Sequence, residues 1–352
     1  MMKARFTFGL PQLPRFGDNQ DSQDRGARNG STGGSEGHLK EGQLNGAFHS
    51  GPFQDGPSFN GPSHKGGRIP DDEILADFPR PLLFGHRGMP CLYPENTMAS
   101  FRAACDAGVP GIELDVHLTK DGRLIVFHDD TTERIGGSGN SRSGGQGEPA
   151  LSAFFRLEET DSETLRSLDI GSWKGSEFLG ERMPFLDEVF EEFGQRAYFD
   201  VEIKSRSTES KGLEPLLAAT IRKYHMEKRC VVSSFNPFAL KWMKRIMPAL
   251  PSALIYTSSK DLYWFLRHGE GRFLAPVDIL KPDTRLVRTK RGATYSAEIS
   301  KIAASARPVA RAKARPFLPW TVDSVEEAKR VLASGAMGVI SNRPQDLLGL
   351  CC

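Results

Sequence analysis

The chain has 352 residues, and its 46 Lys and Arg nearly match its 44 Asp and Glu, leaving a formal charge of +2. That length suits one large domain or two ordinary ones, and so even a balance argues against nucleic acid or an acidic membrane surface as the main partner. No run approaches about 18 apolar residues, so no transmembrane segment is expected. The first twenty residues carry basic groups but no continuous apolar stretch of signal-peptide type. Five scattered cysteines, Cys91, Cys105, Cys230, Cys351 and Cys352, form no disulfide framework. An odd count of this kind points to a reducing compartment, and a cytoplasmic location is expected.

Residues 1–75 are rich in Gly, Ser, Asn, Gln and Asp and show no helical or strand period. Such a stretch buries too little apolar surface to offset the entropy of ordering it, and it reads as a disordered tail. From Pro81 short apolar runs alternate with helix-like segments. Leu82–Gly85 reads as strand one, Glu95–Ala107 as a helix, and Gly111–Val116 as strand two. Leu124–Phe127 is a further short strand after the Asp121-Gly122 turn. The glycine- and serine-rich residues 136–147 form a loop, and residues 135–184 look like an inserted segment. Phe185–Phe193 is a helix and Ala197–Ile203 is strand three. Leu213–Tyr224 is a helix, Cys230–Ser234 strand four, and a helix runs from Pro237 to Ile246. Ala253–Tyr256 is strand five, Asp261–Arg267 is helical, and Val277–Leu280 is strand six. Residues 295–305 are helical. Phe317–Val322 is strand seven, Ser324–Ala333 a helix, and Met337–Ile340 strand eight.

Eight apolar strands separated by helices over residues 80–349 match an α/β fold, a (β/α)₈ TIM barrel with a small insertion after the second strand; about 250 residues is typical of it. The rival is a doubly wound open sheet, which suffers because no Gly-x-Gly-x-x-Gly follows strand one.

In a barrel the loops after the strands share one face, and the site lies there. Strand one delivers His86 and Arg87, and strand two Glu113 and Asp115. The short strand delivers His128, strand three Glu202 and Lys204, and strand seven Trp320. Glu113 and Asp115 are two apart on a strand and point to one side, as do Glu202 and Lys204. Three carboxylates brought together in a low dielectric repel one another. A divalent cation resolves the conflict, with Mg²⁺ or Ca²⁺ preferred to zinc by oxygen ligands. The plainer alternative is a structural ion pair with lysine or arginine. Arg87 suits bidentate phosphate recognition, and Lys204 suits a point charge on a phosphoryl oxygen. With the cation and a phosphodiester added, the charges of these groups cancel. His86 and His128 supply a base for the nucleophile and an acid for the leaving oxygen, in an order the sequence leaves open. His117 reads as a surface or supporting histidine.

The ordered set HRG, PENT, ELDVHLTKDG and FHDD, then FDVEIK, SSFNP and PWTVDS, resembles the glycerophosphodiester phosphodiesterases from about residue 80 to residue 347. The resemblance implies a TIM barrel and hydrolysis of glycerophosphodiesters, small molecules derived from deacylated phospholipids. The products would be glycerol 3-phosphate and an alcohol, and the cofactor one divalent metal. It implies His86 and His128 as catalytic residues and Glu113, Asp115 and Glu202 as metal ligands. Arg87 and Lys204 would then be phosphate contacts, and Trp320 the aromatic lining of the glycerol pocket. Two stretches depart from the pattern. Strand eight ends Ile340-Ser341-Asn342-Arg343-Pro344 where the family usually has Thr-Asp before Arg-Pro, and activity is expected to survive this. Residues 281–315 are unusually basic and match weakly. The alternatives are a phospholipase D-type barrel acting on lysophospholipids, which calls for an exposed apolar rim, and a barrel used only as a binding module.

Overall fold

The computed structural model describes residues 69–136, 154–260, 262–287 and 315–351. Most of the expected tail, all but the first residue of the loop at 136–147, the helix at 295–305 and much of the basic 281–315 stretch lie outside the described residues. Among the described residues eight strands are formed: β1 (Leu82–His86), β2 (Gly111–Leu118), β3 (Leu124–Val126), β4 (Tyr198–Ile203), β5 (Cys230–Ser234), β6 (Ser252–Tyr256), β7 (Ile279–Pro282) and β8 (Gly338–Ser341). All but β3 run parallel, in the order β7-β6-β5-β4-β2-β1-β8, and β3 pairs antiparallel on β2.

The ring closes through the segment expected as strand seven. Leu318 N–H donates to Leu280 O and Trp320 N–H to Pro282 O, on the β7 side. Met337 N–H donates to Phe317 O and Ile340 N–H to Pro319 O, on the β8 side. Pro316 and Pro319 bring no N–H, so this eighth stave bridges its neighbours without a regular ladder. The result is a closed (β/α)₈ barrel with β3 as a hairpin appendage.

Alternation along each strand sorts the side chains. Ile112, Leu114, Val116, Phe199 and Val201 face outward and pack with the helices Leu186–Phe193 and Leu213–Lys223. Leu83, Leu254, Leu280 and Val339 do the same with the helix Val325–Ala333. Leu82, Phe84, Val231, Ala253, Ile279, Leu318 and Ile340 face inward and fill the lower barrel.

That lower layer is completed by a segment expected in part to belong to the tail. Ile69, Ile74, Leu75 and Phe78 are all buried against it. Phe78 stacks on Phe84 and Tyr198 at centroid distances of 5.0 and 4.6 Å. Ile69 N–H donates to Asp278, whose carboxylate also takes Ser252 N–H and an ion pair from Lys244 Nζ. The segment Ile69–Phe78 is thus the floor of the barrel, and packing begins before the expected boundary near residue 75.

Four other expectations shift. The first helix starts at Met98 with Thr97 as its cap, three residues late, because Asn96 turns its side chain into the barrel instead. Strand six moves to Ile279–Pro282, because Asp278 is used as the floor anchor. The expected helix 261–267 is one 3₁₀ turn, Trp264–Leu266, held by Leu266 N–H to Tyr263 O. Of the expected insertion, residues 154–184 carry two 3₁₀ turns and the short α-helix Ser162–Arg166, and Leu157, Leu165, Ile170 and Met183 pack on Ile125 and Phe127. Among the described residues no helix is long and apolar enough to cross a membrane.

Replacing Phe78 with Ala removes the largest ring of the floor. We expect it to cost about 3–5 kcal/mol in urea denaturation, the range for a buried aromatic truncated in a core.

Candidate active site

The mouth of the barrel is built first by backbone. β1 ends in a turn, Gly85 to Gly88, whose two end positions admit no side chain: a Cβ on Gly85 would lie 2.1 Å from Gly88 O, and one on Gly88 would meet Ser100 Oγ at 2.4 Å. Ser100 Oγ donates to Arg87 O and accepts from Met89 N–H, tying the turn to the helix behind it. Arg87 is forced to a φ of 57°, a left-handed conformation that a non-glycine residue adopts at some cost. It aims Arg87 N–H at Glu113 Oε2, 3.1 Å away. Asn96, at φ 56°, is fully buried and donates its amide to Asp115 Oδ2 at 2.8 Å.

Strand register then gathers the acids. His86 stands opposite Glu113, and Asp115 opposite Glu202. Glu113, Asp115 and Glu202 are buried, and one carboxylate oxygen from each lies within 4.8 Å of the others. Lys204 Nζ lies 2.5 Å from Glu202 Oε1 and 2.9 Å from Asp115 Oδ1. The second of these is an ion pair out of hydrogen-bonding alignment, so Asp115 Oδ1 stays a buried acceptor without a donor. Arg87 Nε stands 3.4 Å from Asp115 Oδ2, and Arg87 Nη1 2.9 Å from Glu95 Oε1. Burial and the Asp115 charge push the Glu113 carboxyl well above the usual range. Burial would raise Asp115 as well, but Lys204, His128 and Arg87 outweigh it and hold its carboxyl well down. Burial alone would lower Lys204, but the Asp115 and Glu202 carboxylates lift it above the usual lysine range, so it stays charged. A buried trio of carboxylates with one unsatisfied oxygen fits a hard divalent cation bound through oxygen, as Mg²⁺ and Ca²⁺ are.

A second ionic layer lies beneath the trio. Lys281 is buried inside β7 and reaches Asp200 Oδ2 at 2.7 Å and Ser233 Oγ at 2.9 Å. Burial alone would lower Lys281, but the Asp200, Glu113 and Glu202 carboxylates outweigh it and raise it above the usual lysine value.

The histidines flank the acids. His86 Nδ1 and Asn342 Oδ1 are 2.6 Å apart, and His86 Nε2 is 4.0 Å from Glu113 Oε2. Burial first, and then the Arg87 charge, push His86 well below the ordinary histidine value, so its ring is neutral near pH 7. His128 Nδ1 donates to Asp129 Oδ1 at 2.6 Å, and Arg134 Nε donates to the other oxygen of that carboxylate. Burial would raise Asp129, but the bonds from His128 and Arg134 hold it below the carboxylate range. His117 is buried, not at the surface: its Nε2 is 3.4 Å from His128 O, and burial takes it down to about 4.

A cavity of about 280 Å³ joins these groups. His86, Arg87, Glu113, His128, Glu202, Lys204 and Trp320 all line it, and Asp115 sits just under its wall. One side is ionic. The other is apolar, formed by Phe235, Ile255, Leu262 and Trp320, with Trp320 edge-on to Phe235 and its indole N–H donating to Lys281 O. Every site residue named from the sequence therefore meets here. Sequence reasoning passed over Asn96, Asp129, Lys281, Asp323 and Asn342. Lys281 left a signal as a charge inside an apolar run, and Asn342 as a departure from Thr-Asp; Asp129 and Asn96 sat within quoted motifs without a role.

The chain's resemblances agree with this arrangement. A family model described as the glycerophosphoryl diester phosphodiesterase family matches residues 86–346. A glycerophosphodiester phosphodiesterase of Caldanaerobacter subterraneus is 33% identical over 270 residues, covering 76% of this chain and 97% of the relative. One of Bacillus altitudinis is 27% identical, covering 74% and 94%. Among solved structures, a phosphodiesterase of Oleispira antarctica in complex with the product sn-glycerol-3-phosphate aligns with a TM-score of 0.56 at 24% identity, over 78% of this chain and 98% of that one. A glycerophosphodiester phosphodiesterase of Agrobacterium tumefaciens aligns with a TM-score of 0.54 at 22% identity, over 76% and 98%. These two structural likenesses bear on the fold.

The Lys281–Asp200 pair makes a testable claim about stability. Lys281→Met alone strands a buried carboxylate and should cost about 3–5 kcal/mol in denaturant unfolding. Adding Asp200→Leu should recover most of the loss, because removing both charges spares the desolvation that each one incurs.

Proposed function

We propose the following from the premise that this chain belongs to the glycerophosphoryl diester phosphodiesterase family and is a phosphoric diester hydrolase: it cleaves glycerophosphodiesters to glycerol 3-phosphate and an alcohol, by acid–base catalysis between two histidines. The observation that carries this reading is the meeting of His86, His128 and the acidic trio in one cavity. Free thiols at Cys91, Cys105 and Cys230 suit the cytoplasmic location expected for such a substrate.

Each group has a role set by its surroundings. Glu113, Asp115 and Glu202 would hold one divalent cation, Mg²⁺ or Ca²⁺. When bound, that cation supplies positive charge to a phosphoryl oxygen. Arg87 and Lys204 stand beside the trio, where they would bind the phosphate and stabilise the charge that gathers on its oxygens. His86 is neutral and half-buried, suited to take the proton of the attacking oxygen. His128 is backed by the Asp129 carboxylate, which balances the ring's charge when both nitrogens hold protons. It is suited to give a proton to the leaving oxygen. Trp320 and Phe235 form a wall on which the glycerol carbons would pack.

Lysophospholipids are the second reading. Leu92, Trp173 and Leu179 are exposed on neighbouring loops, which are joined by the Tyr93–Phe178 ring contact and by the bond from Lys174 Nζ to Pro90 O. An acyl chain would need exposed apolar groups of this kind beside the mouth.

The deciding measurement is glycerol 3-phosphate release from glycerophosphocholine and glycerophosphoethanolamine. Release should stop in excess chelator and return with Mg²⁺ or Ca²⁺, and the same cations should raise the melting temperature. Unchanged rates in chelator would sink the metal assignment. No release from either substrate in folded, metal-loaded protein, with release from lysophospholipid, would favour the second reading. His86→Ala and His128→Ala should each lower kcat by about 10²–10⁴-fold in folded protein. A wild-type rate in either removes that residue from the mechanism.

A further inference from the structure

We infer that Asn342, oriented by Asp323, is the positioning residue that fixes the tautomer of His86, so that its Nδ1 carries the proton and its Nε2 presents a lone pair to the cavity. The inference rests on the reading of His86 as a reacting group, but its geometry stands separately.

An imidazole against an amide is ambiguous by itself, because an amide offers an acceptor at one end and two donors at the other. Here the ambiguity is removed from behind. The Asp323 carboxylate can only accept. Its Oδ2 takes Asn342 Nδ2–H at 2.8 Å, and its Oδ1 takes Asn342 N–H at 2.7 Å and Ser341 Oγ–H at 3.2 Å. Three donors from two adjacent residues fix the carboxylate, and the carboxylate claims the amino end of the Asn342 amide. The carbonyl end must then face His86, 2.6 Å from Nδ1. A carbonyl oxygen accepts only, so Nδ1 must be the N–H. In the neutral ring the other nitrogen, Nε2, is then the free base. The nearest carboxylate oxygen to it is Glu113 Oε2 at 4.0 Å, beyond hydrogen-bond reach, so among the described residues no bond engages that lone pair.

The chain supplies this device at the end of β8, where the ends of two paired strands meet side by side. Asn342 follows β8, which pairs with β1, and His86 ends β1. Asp323 ends the irregular stave that pairs with β8 on the other side, through Val322 N–H to Ile340 O. The side chains therefore line up along three adjacent staves at one level. Placing a neutral amide between the carboxylate and the ring transmits orientation without setting a negative charge directly on the imidazole. His128 has the opposite arrangement, with Asp129 in direct contact.

The test combines a spectrum with kinetics. In metal-loaded protein carrying ¹⁵N-labelled histidine rings, with the His86 signals assigned by their loss in His86→Gln, wild type should show a protonated Nδ1 and an unprotonated Nε2 above neutral pH. Asn342→Leu keeps the side-chain shape but removes the acceptor. It should shift the ring toward the Nε2–H form and lower kcat by about 10²-fold, the scale of a lost acid–base contribution, with KM little changed. The exchange N342D/D323N restores an acceptor at Nδ1, oriented by an amide from behind. It should return the Nδ1–H signature and bring kcat back to within about tenfold of wild type. An Nε2–H tautomer in wild type, an unchanged tautomer in Asn342→Leu, or failure of the exchange to restore Nδ1–H in folded protein would each overturn the inference. Wild-type activity in His86→Ala would instead overturn the catalytic reading and leave the tautomer result standing.

Discussion

Charge crowding at the mouth of the barrel is the constraint on which the rest depends. Four carboxylates, from Glu113, Asp115, Asp200 and Glu202, sit in a region nearly closed to water. Arg87, Lys204 and Lys281 are threaded among them. Each charge is tolerable only because its neighbours are there, since an isolated one would lose far more hydration than it regained. The remaining excess of one negative charge is what a cation and an anionic substrate would share. The apolar packing outside the barrel keeps these groups close, and the left-handed turns at Arg87 and Asn96 direct backbone and amide donors toward oxygens that would otherwise lack them.

Much of this was legible in the sequence because barrel strands have a simple period. Glu113 and Asp115, or Glu202 and Lys204, must share a face if they lie on strands, and the C-terminal ends of strands must share a mouth. What could not be read were contacts made across the ring. Nothing local to Asn342 announces that it meets His86, 256 positions earlier, or that Asp323 stands behind it. The departure from Thr-Asp at the end of strand eight was visible, but nothing in the sequence ties it to a partner. It bears on a histidine. Lys281 was readable as a charge out of place, yet its partner Asp200 lies on another strand.

The edges of elements were lost for a related reason. Pro316 and Pro319 deny a regular ladder to the segment read as strand seven, which still closes the ring, since a stave bridging two edges needs only alternate hydrogen bonds. Ile69, Ile74, Leu75 and Phe78 share no clean period because they fill a circular opening, not a stripe on a helix or sheet. Composition favours disorder where only the shape of the barrel's end explains the burial.

That floor has a kinetic meaning. With Ile74, Leu75 and Phe78 sealing one end, and Asp200 and Lys281 packed above them, the interior is a blind well and not a tunnel. Whatever reaches the histidines must leave by the way it came. Incoming diester and outgoing phosphate product would therefore contend for the same opening and the same cations, which makes departure of product, as much as bond cleavage, a natural bottleneck for turnover.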